Sequence, residues 1–303
     1  MPNTLAHVGI NGLITKSIIK KSDILWIYLG CVIPDFPWIV RKIIESALPS
    51  VNGYDLQLYV IVQASLFFSL ILSFILALFS VDIKKTFLIL GIGSLFHLLV
   101  DSIQTKWANG VHLFAPFSWD MTNYGFFWPE SVWTYIITFL GLAFFIYYWK
   151  SNFVSRPLIA FSLNRIVTAT ILMLTYFFLP LLFVDHVEQA DNHFISTLRN
   201  ENSRVGSYVE MDRKKVVLRE KTNSYWIESF DKSLIELNNI EELKSDRISI
   251  KGKFISNNEI YVEDYQENWS LFRDGASYVG LFLILLSWII YLKIKLSYII
   301  NKQ

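Results

Sequence analysis

The chain has 303 residues, of which 53% are hydrophobic and 16% aromatic, while only 17% are charged. This composition is too apolar for an ordinary soluble protein, so we expect much of the chain to contact lipid. The net charge of +1, without a basic stripe, argues against nucleic acid as a partner, and the single cysteine, Cys31, excludes an intramolecular disulfide and a cysteine-based zinc finger.

Seven apolar segments predict a mainly α-helical protein, a bundle of about six or seven membrane segments. The longest, 56–81, has no ionisable residue between Asp55 and Asp82 and exceeds the roughly 20 residues that cross a hydrocarbon core. The segment 5–19 is short for a crossing and could be a re-entrant helix. The remaining segments are 24–40, 86–103, 132–149, 166–184 and 276–292.

Between Asp185 and Asp274 the chain becomes rich in charge and shows short runs of alternating apolar and polar residues. We therefore predict three parts: a transmembrane helical domain with the site (1–184), a β-rich domain (185–275) and a C-terminal transmembrane helix (276–303). The predicted strands are 207–210, 215–219, 225–228, 248–254 and 259–262, with one short helix over 234–243. Ser256-Asn257-Asn258 predicts a hairpin turn. A five-stranded OB-like barrel fits this length, although strand count does not separate it from other small barrels.

Lysine and arginine clusters predict the orientation of the helices. They lie at 16–21, 84–85, 150–165 and 293–302, and such clusters mark the cytoplasmic side of a membrane. Placing all four there puts the N-terminus, the loop 104–130 and the β-rich domain outside, with Arg41 and Lys42 as the exception. The chain is thus expected to be a multi-pass protein of a bacterial cytoplasmic (inner) membrane.

Several ionisable residues fall in or near the predicted spans, where their cost generally indicates a functional site. His97 and Asp101 are four residues apart, so on a helix they share one face and can hold a cation. His7 and Asp35 lie near the same predicted membrane face. We predict a metal site formed by these four residues, with His112 on the next loop as a fifth ligand or a general acid. The alternative is a set of hydrogen bonds that hold helices together.

These features together resemble the bacterial membrane-bound metal-dependent hydrolases, multi-span proteins distantly similar to zinc-dependent phospholipase C. The resemblance covers residues 1 to about 149 and is carried by four elements. These are His7 in Thr4-Leu5-Ala6-His7, the Pro34-Asp35 step, the spacing of His97 and Asp101, and the segment 110–117, which ends in Pro116-Phe117. The resemblance implies hydrolysis by metal-bound water. Mixed histidine and aspartate ligands suit zinc, with manganese or iron as alternatives.

The chain departs from that family in two places. Phe36 and Pro37 follow Asp35 where many members have a second acidic residue. Residues 55–65 contain no histidine, whereas family members carry two in the corresponding stretch; Asp55 and Gln63 are the polar groups that could partly substitute. The departures predict either a mononuclear site or a catalytically silent one.

The predicted catalytic residues are Asp35, Asp55 and His112 as proton acceptors or donors, and Lys106 as a cation that neutralises a phosphate oxygen. Lys106 could instead be an interfacial anchor. The loop 107–133 is strongly aromatic and is predicted to lie at headgroup depth. A site opening there favours an amphiphilic substrate, a phospholipid or another lipid-linked phosphoester.

Three classes of function remain open at this point. The first is a membrane-embedded, metal-dependent hydrolase acting at the outer membrane face. The second is a non-catalytic scaffold or lipid-binding protein that presents the β-rich domain to a protein partner. An ion or proton transporter is disfavoured, because the helix halves toward Lys84 and Lys85 are almost wholly apolar. His186 and His193, seven residues apart, predict a solvated helical stalk or a second metal site.

Overall fold

The computed structural model of the protein describes residues 3–152, 158–190, 194–219 and 224–300. Within these ranges the chain is mainly α-helical, as predicted, with a separate five-stranded sheet before the last helix. The helices are α1 (Thr4–Ile18), α2 (Ile24–Gly30), α3 (Phe36–Ala47), α4 (Gly53–Gln63), α5 (Leu66–Leu78), α6 (Ile83–Ser102), α7 (Val132–Tyr147), α8 (Leu163–Phe178), α9 (Val184–Gln189), α10 (Ile195–Arg199) and α11 (Ser270–Ile300). The strands are β1 (Tyr208–Arg219), β2 (Ser224–Glu228), β3 (Leu234–Asn238), β4 (Arg247–Ser256) and β5 (Glu259–Glu267). Short 3-10 helices occupy Ile33–Asp35, Trp149–Asn152, Leu179–Leu182 and Glu201–Ser203.

Four helical stretches of the described chain are long and apolar enough to cross a membrane. They are Ile24–Ala47, Ile83–Ser102, Leu163–Leu182 and Leu271–Lys295. The stretch 56–81, predicted to be one span, is instead the pair α4 and α5, which are bent by 68°. Counting that pair as one crossing gives five, fewer than the six or seven predicted. The shortfall arises at α1 and α7, which have only 15 and 16 residues.

The bend between α4 and α5 occurs at Ser65, whose backbone is extended, with φ −69° and ψ 162°. At the end of α4, Gln63 donates a hydrogen bond from Nε2 to the carbonyl oxygen of Tyr176 on α8, at 3.1 Å. A buried amide needs such a partner, so this contact holds the end of α4 against α8. The bend was not predicted because the sequence has neither proline nor glycine there, and an uninterrupted apolar run predicts a straight helix.

α1 is packed among α2, α6, α7 and α11. The backbones of α1 and α7 approach closely at Gly141, where a Cβ atom would overlap the carbonyl oxygen of Leu5. On another side of α1, Asn11 donates from Nδ2 to the carbonyl oxygen of Gly93 on α6, at 3.1 Å. These contacts fix the position of α1, and with it the position of His7.

The five strands close into a barrel in the order β1-β2-β3-β5-β4. Neighbouring strands are antiparallel except β3 and β5, which are parallel. The long strand β1 pairs with both β4 and β2, which lets one strand close the barrel. Buried apolar side chains from all five strands form its core, among them Val209, Ile227, Ile235, Ile250 and Ile260.

The two runs predicted as separate strands, 207–210 and 215–219, belong to the single strand β1. The register of β1 against β4 shifts between Met211 and Lys214, and within this bulge Arg213 has a positive φ of 53°. A bulge adds residues that do not follow the two-residue alternation. The break in the alternating pattern between the two predicted strands is therefore a bulge within β1 and not a loop between strands.

The predicted helix over 234–243 is wrong, because Leu234–Asn238 forms β3. This strand pairs with β2 on one side and β5 on the other, and Ile235 and Leu237 point into the core. Ladders on both sides satisfy its backbone and override local helix propensity. The predicted hairpin is confirmed, since Ser256 pairs with Glu259 across the turn.

The barrel contacts the helical part of the protein at more than one place. Glu210 of β1 accepts a hydrogen bond at Oε2 from the backbone N–H of Ala108, at 2.8 Å. The hydroxyl of Tyr54 on α4 lies 2.9 Å from Oγ of Ser229, next to β2. These contacts fix the barrel over the helices, and a cavity lies between the two parts.

Candidate metal centre

His7, His97 and Asp101 meet in the interior of the helical bundle. Their ligand atoms all lie within 4.8 Å of one another, so the group could hold a metal ion. The side chains are 0%, 0% and 2% exposed. His7 comes from the start of α1, and the other two come from the end of α6. The imidazole rings stack, with centroids 3.6 Å apart and 5° between their planes.

The separations between these groups fit ligands around a shared ion. His7 Nε2 lies 3.4 Å from Asp101 Oδ1, and His97 Nε2 lies 3.7 Å from Asp101 Oδ2. Asp35 adds a carboxylate, with Oδ1 at 3.5 Å from His97 Nε2. These distances are longer than good hydrogen bonds. They are close to the roughly 3.4 Å between two ligands of a tetrahedral zinc ion with bonds of about 2.0–2.1 Å.

Several polar atoms of this group are buried without a hydrogen-bond partner in the described part of the chain. They are His7 Nδ1 and Nε2, His97 Nε2, Asp101 Oδ1 and Asp35 Oδ1. Each unsatisfied buried group costs about 1–3 kcal/mol, so such a concentration is unusual in a native protein. A cation would satisfy several of these atoms at once.

The orientation of His97 is set by a backbone carbonyl. Its Nδ1 lies 2.7 Å from the carbonyl oxygen of Cys31. A carbonyl oxygen can only accept, so Nδ1 carries the hydrogen and Nε2 keeps its lone pair facing Asp35 and Asp101. This is the arrangement that typically orients a metal-binding histidine. Cys31 therefore helps to orient His97 through its backbone carbonyl, a role that the sequence did not predict.

A cavity of ≈ 700 Å³ adjoins the cluster and separates the barrel from the helices. Its wall combines apolar and charged side chains. Apolar lining residues include Trp38, Ile39, Ile43, Ile61, Leu98 and Leu281, and charged ones include Asp35, Lys42, Asp101, Lys106, Asp212, Arg213, Arg273 and Asp274. The cavity is therefore amphipathic, with the predicted ligands Asp35 and Asp101 in its wall.

Two further predicted residues, Lys106 and His112, also lie in the cavity wall. Lys106 is only 4% exposed, and its Nζ lies 3.8 Å from Oδ2 of Asp101. This position is unlike that of an exposed interfacial anchor. His112 is 3% exposed and packs near Trp119, but it is not part of the group formed by His7, His97 and Asp101.

Asp55 is not brought to the site. Its side chain is 61% exposed, and Oδ1 lies 2.6 Å from Nη2 of Arg199 on α10. The expectation that Asp55 joins the catalytic residues assumed a straight span whose outer end meets the other ligands. Because α4 is a separate helix bent away from α5, its first turn packs beside α10, and Asp55 does not line the cavity.

Three cationic residues of the cavity were not predicted: Lys42 on α3, Arg213 on β1 and Arg273 on α11. In the sequence, Lys42 was noted only because it lies on the predicted outer side, where lysine is less common. In the structure it lines the cavity. Arg213 lies in the polar interruption of the β1 pattern, which is the one local signal that could have singled it out.

The suggested second metal site involves His193, which lies outside the described residues. Its predicted companion, His186, is exposed on α9.

Comparison with protein-family models, with curated proteins and with solved structures finds no match for this chain. The function is therefore inferred from the geometry of the site.

Proposed function

We propose that this protein is a membrane-embedded, metal-dependent hydrolase of a phosphoester in a lipid or lipid-linked substrate. One observation carries the proposal: a buried group of two histidines and an aspartate has unpartnered ligand atoms and adjoins an amphipathic cavity. The resemblance of residues 1 to about 149 to membrane-bound metal-dependent hydrolases points to the same chemistry.

Placement in a membrane is supported by the outward faces of three helices. Large apolar side chains are exposed there, including Phe139 on α7, Ile171 on α8 and Phe282 on α11 at 63%, 60% and 61%. An apolar surface of this kind is unfavourable in water and suits lipid chains. With the lysine and arginine clusters in the cytoplasm, the barrel and the site face outward from a bacterial inner membrane.

Zinc is the proposed metal, with manganese or iron as alternatives, because two imidazoles and a carboxylate are typical of its sites. His7, His97 and Asp101 would hold it, and Asp35 is close enough to His97 to complete the set. The absence of histidine from residues 55–65 favours one ion over two. When bound, such an ion polarises a phosphoryl oxygen and lowers the pKa of water in contact with it.

The side chains around the cavity supply the other requirements of hydrolysis. Asp35 is 16% exposed and has an unpartnered Oδ1, so where His7, His97 and Asp101 alone hold the ion it can instead accept a proton from attacking water. Lys106 can neutralise a phosphate oxygen next to Asp101, and His112 can donate a proton to the leaving group. The apolar wall formed by residues such as Trp38 and Leu281 suits the chains of a lipid.

We also propose that the barrel is OB-like. The strand order β1-β2-β3-β5-β4, with β1 shared between β2 and β4 and with β3 parallel to β5, is consistent with that fold. OB-like barrels bind varied ligands on one face, so the fold alone gives no substrate.

Metal content measured by inductively coupled plasma mass spectrometry tests the proposal. The full chain, purified in detergent and reconstituted with zinc, should hold about one ion per chain. His97→Ala and Asp101→Ala should lose it, because each removes one of three ligands. His186→Ala is the matched control, since this exposed histidine lies on α9, away from the cavity.

A second measurement tests the reaction. The zinc-loaded chain should release a water-soluble phosphorylated headgroup from short-chain phosphatidylcholine, and His97→Ala should not. Wild-type protein that stays metal-free after reconstitution would reject the hydrolase and leave the scaffold hypothesis, in which the polar cluster serves helix packing.

A further inference from the structure

Two residues of the barrel, Asp212 and Arg213, line the cavity beside the helices. Arg213 lies in the β1 bulge with a φ of 53°, a conformation that is uncommon for a residue other than glycine. Its backbone N–H donates to Oγ of Ser249 on β4, at 3.0 Å, which holds the bulge in place. Residues in this conformation occur mostly in turns and bulges and are enriched at functional sites.

The guanidinium of Arg213 is buried but only partly satisfied. The side chain is 8% exposed, and its Nη1 pairs with the partly buried carboxylate of Glu130 and donates to Oδ1 of Asn268 at 3.2 Å. Its Nε and Nη2 have no partner among the described residues. These two nitrogens form one edge of the guanidinium fork, the edge that binds carboxylate or phosphate through two parallel hydrogen bonds.

The charges around the cavity are of both signs. Its wall carries the cations Lys42, Lys106 and Arg273 and the carboxylates of Asp35, Asp101, Asp212 and Asp274, and Arg273 pairs with Asp274 at 3.0 Å. Burial lowers the pKa of Arg213 below its ordinary range and Arg273 lowers it further, while Glu130 and Asp212 raise it. An oxyanion on Arg213 would satisfy its unpaired donors.

Both nitrogens, Nε and Nη2, are enclosed in this structure. We propose that the side chain of Arg213 turns this unpartnered edge toward the cavity to bind a phosphate group, so that the barrel takes part in recognising the substrate. The anion site rests on the contacts of Arg213, while its role toward a substrate rests on the proposed function. The ligand class is an anionic lipid whose phosphate lies under the barrel and whose chains contact the apolar wall near Trp38 and Leu281.

Binding of dioctanoyl phosphatidic acid to the full chain in nanodiscs, measured by calorimetry after treatment with EDTA, tests the proposal. Arg213→Gln should weaken binding about 10- to 100-fold, the range for charge-assisted hydrogen bonds to a buried group. Arg219→Gln is the matched control, because Arg219 is an exposed arginine on the same strand that does not line the cavity. Inorganic phosphate as a second probe distinguishes a lipid headgroup from a free anion.

Arg213→Gln leaves the partly buried carboxylate of Glu130 without its cation, which destabilises this variant. The double variant Arg213→Gln, Glu130→Gln removes both charges and should fold while binding the probe as weakly as the single variant. Unchanged binding in the folded double variant, an equal loss in Arg219→Gln, or no binding to wild type at millimolar probe would each overturn the proposal.

His97→Ala separates this proposal from the hydrolase. The anion site should survive in that variant, because Arg213 does not depend on the metal ligands. A wild-type chain that holds no metal but binds the probe through Arg213 would reject the hydrolase and support the anion site. Loss of probe binding in His97→Ala, with Arg213→Gln unaffected, would place the anion at the polar cluster and reject the role of Arg213.

Discussion

Gly141 lies on α7, a helix that carries none of the proposed ligands, yet the position of His7 depends on it. A Cβ atom at Gly141 would overlap the carbonyl oxygen of Leu5 and lie 2.5 Å from its carbonyl carbon, where ordinary contacts begin at 3.4 Å. Backbone atoms cannot rotate away as a side chain can. Gly141→Ala should therefore displace the first turns of α1, and with them His7, by roughly 1 Å.

A shift of this size is large for a metal site. Ligand distances in a well-formed site hold to within about 0.2 Å. We expect Gly141→Ala to weaken zinc binding about 10- to 100-fold, the cost seen when the support of a ligand is lost. Competition with a chromophoric chelator measures the dissociation constant. Gly275→Ala on α11 is the matched control, because nothing lies within 4 Å of its added Cβ.

A Gly141→Ala variant that is folded, has an unchanged melting temperature and binds zinc as tightly as wild type would contradict this prediction. That result would mean that His7 is not a ligand, or that α1 is not held against α7 at this position.

Two further predictions concern residues outside the cluster. Burial, and then the charge of Arg41, lowers the pKa of Lys214 from 10.5 to about 8. Because the unfolded chain binds this proton more tightly, the destabilisation, about 3 kcal/mol at most, is fully present below pH 8 and disappears as the pH rises to about 10.5. Lys214→Met should therefore raise the melting temperature at pH 7 and raise it much less at pH 10, whereas Lys215→Met, at an exposed neighbour, should leave it unchanged at both. Asp55→Asn should keep full metal content and lose under about 1 kcal/mol of stability, because its ion pair with Arg199 is exposed. Loss of the metal from the Asp55→Asn variant would instead show that metal binding depends on Asp55.

The part of the site that follows from local geometry could be predicted. His97 and Asp101 are four residues apart on one helix, so their proximity needs no knowledge of the rest of the fold. Predicting that His7 and Asp35 join them required only the assumption that the ends of two other segments lie at the same membrane face. Asp55 was placed by the same rule, and there the rule failed, because the long apolar run bends between α4 and α5.

The elements that depend on distant partners could not be predicted. β3 is a strand because β2 and β5 pair with it, although its own residues suggested a helix. Five strands were predicted and five are present, but the agreement comes from two errors that cancel. β1 was predicted as two strands, and β3 was not predicted as a strand. Arg213 reaches the cavity because a bulge turns its backbone to positive φ, and no periodic pattern predicts where such a residue points.

The connection between β5 and α11 limits how the cavity can open. Only Asn268 and Trp269 separate the last strand from the last helix, and Asn268 is tied to the barrel through Ser249 Oγ at 3.0 Å and the carbonyl oxygen of Arg247 at 2.9 Å. The barrel covers the cavity, and α11 forms part of its side wall through Arg273. The barrel therefore cannot lift from the cavity without pulling on the first turn of α11, because only two residues join them and one is tied to the barrel.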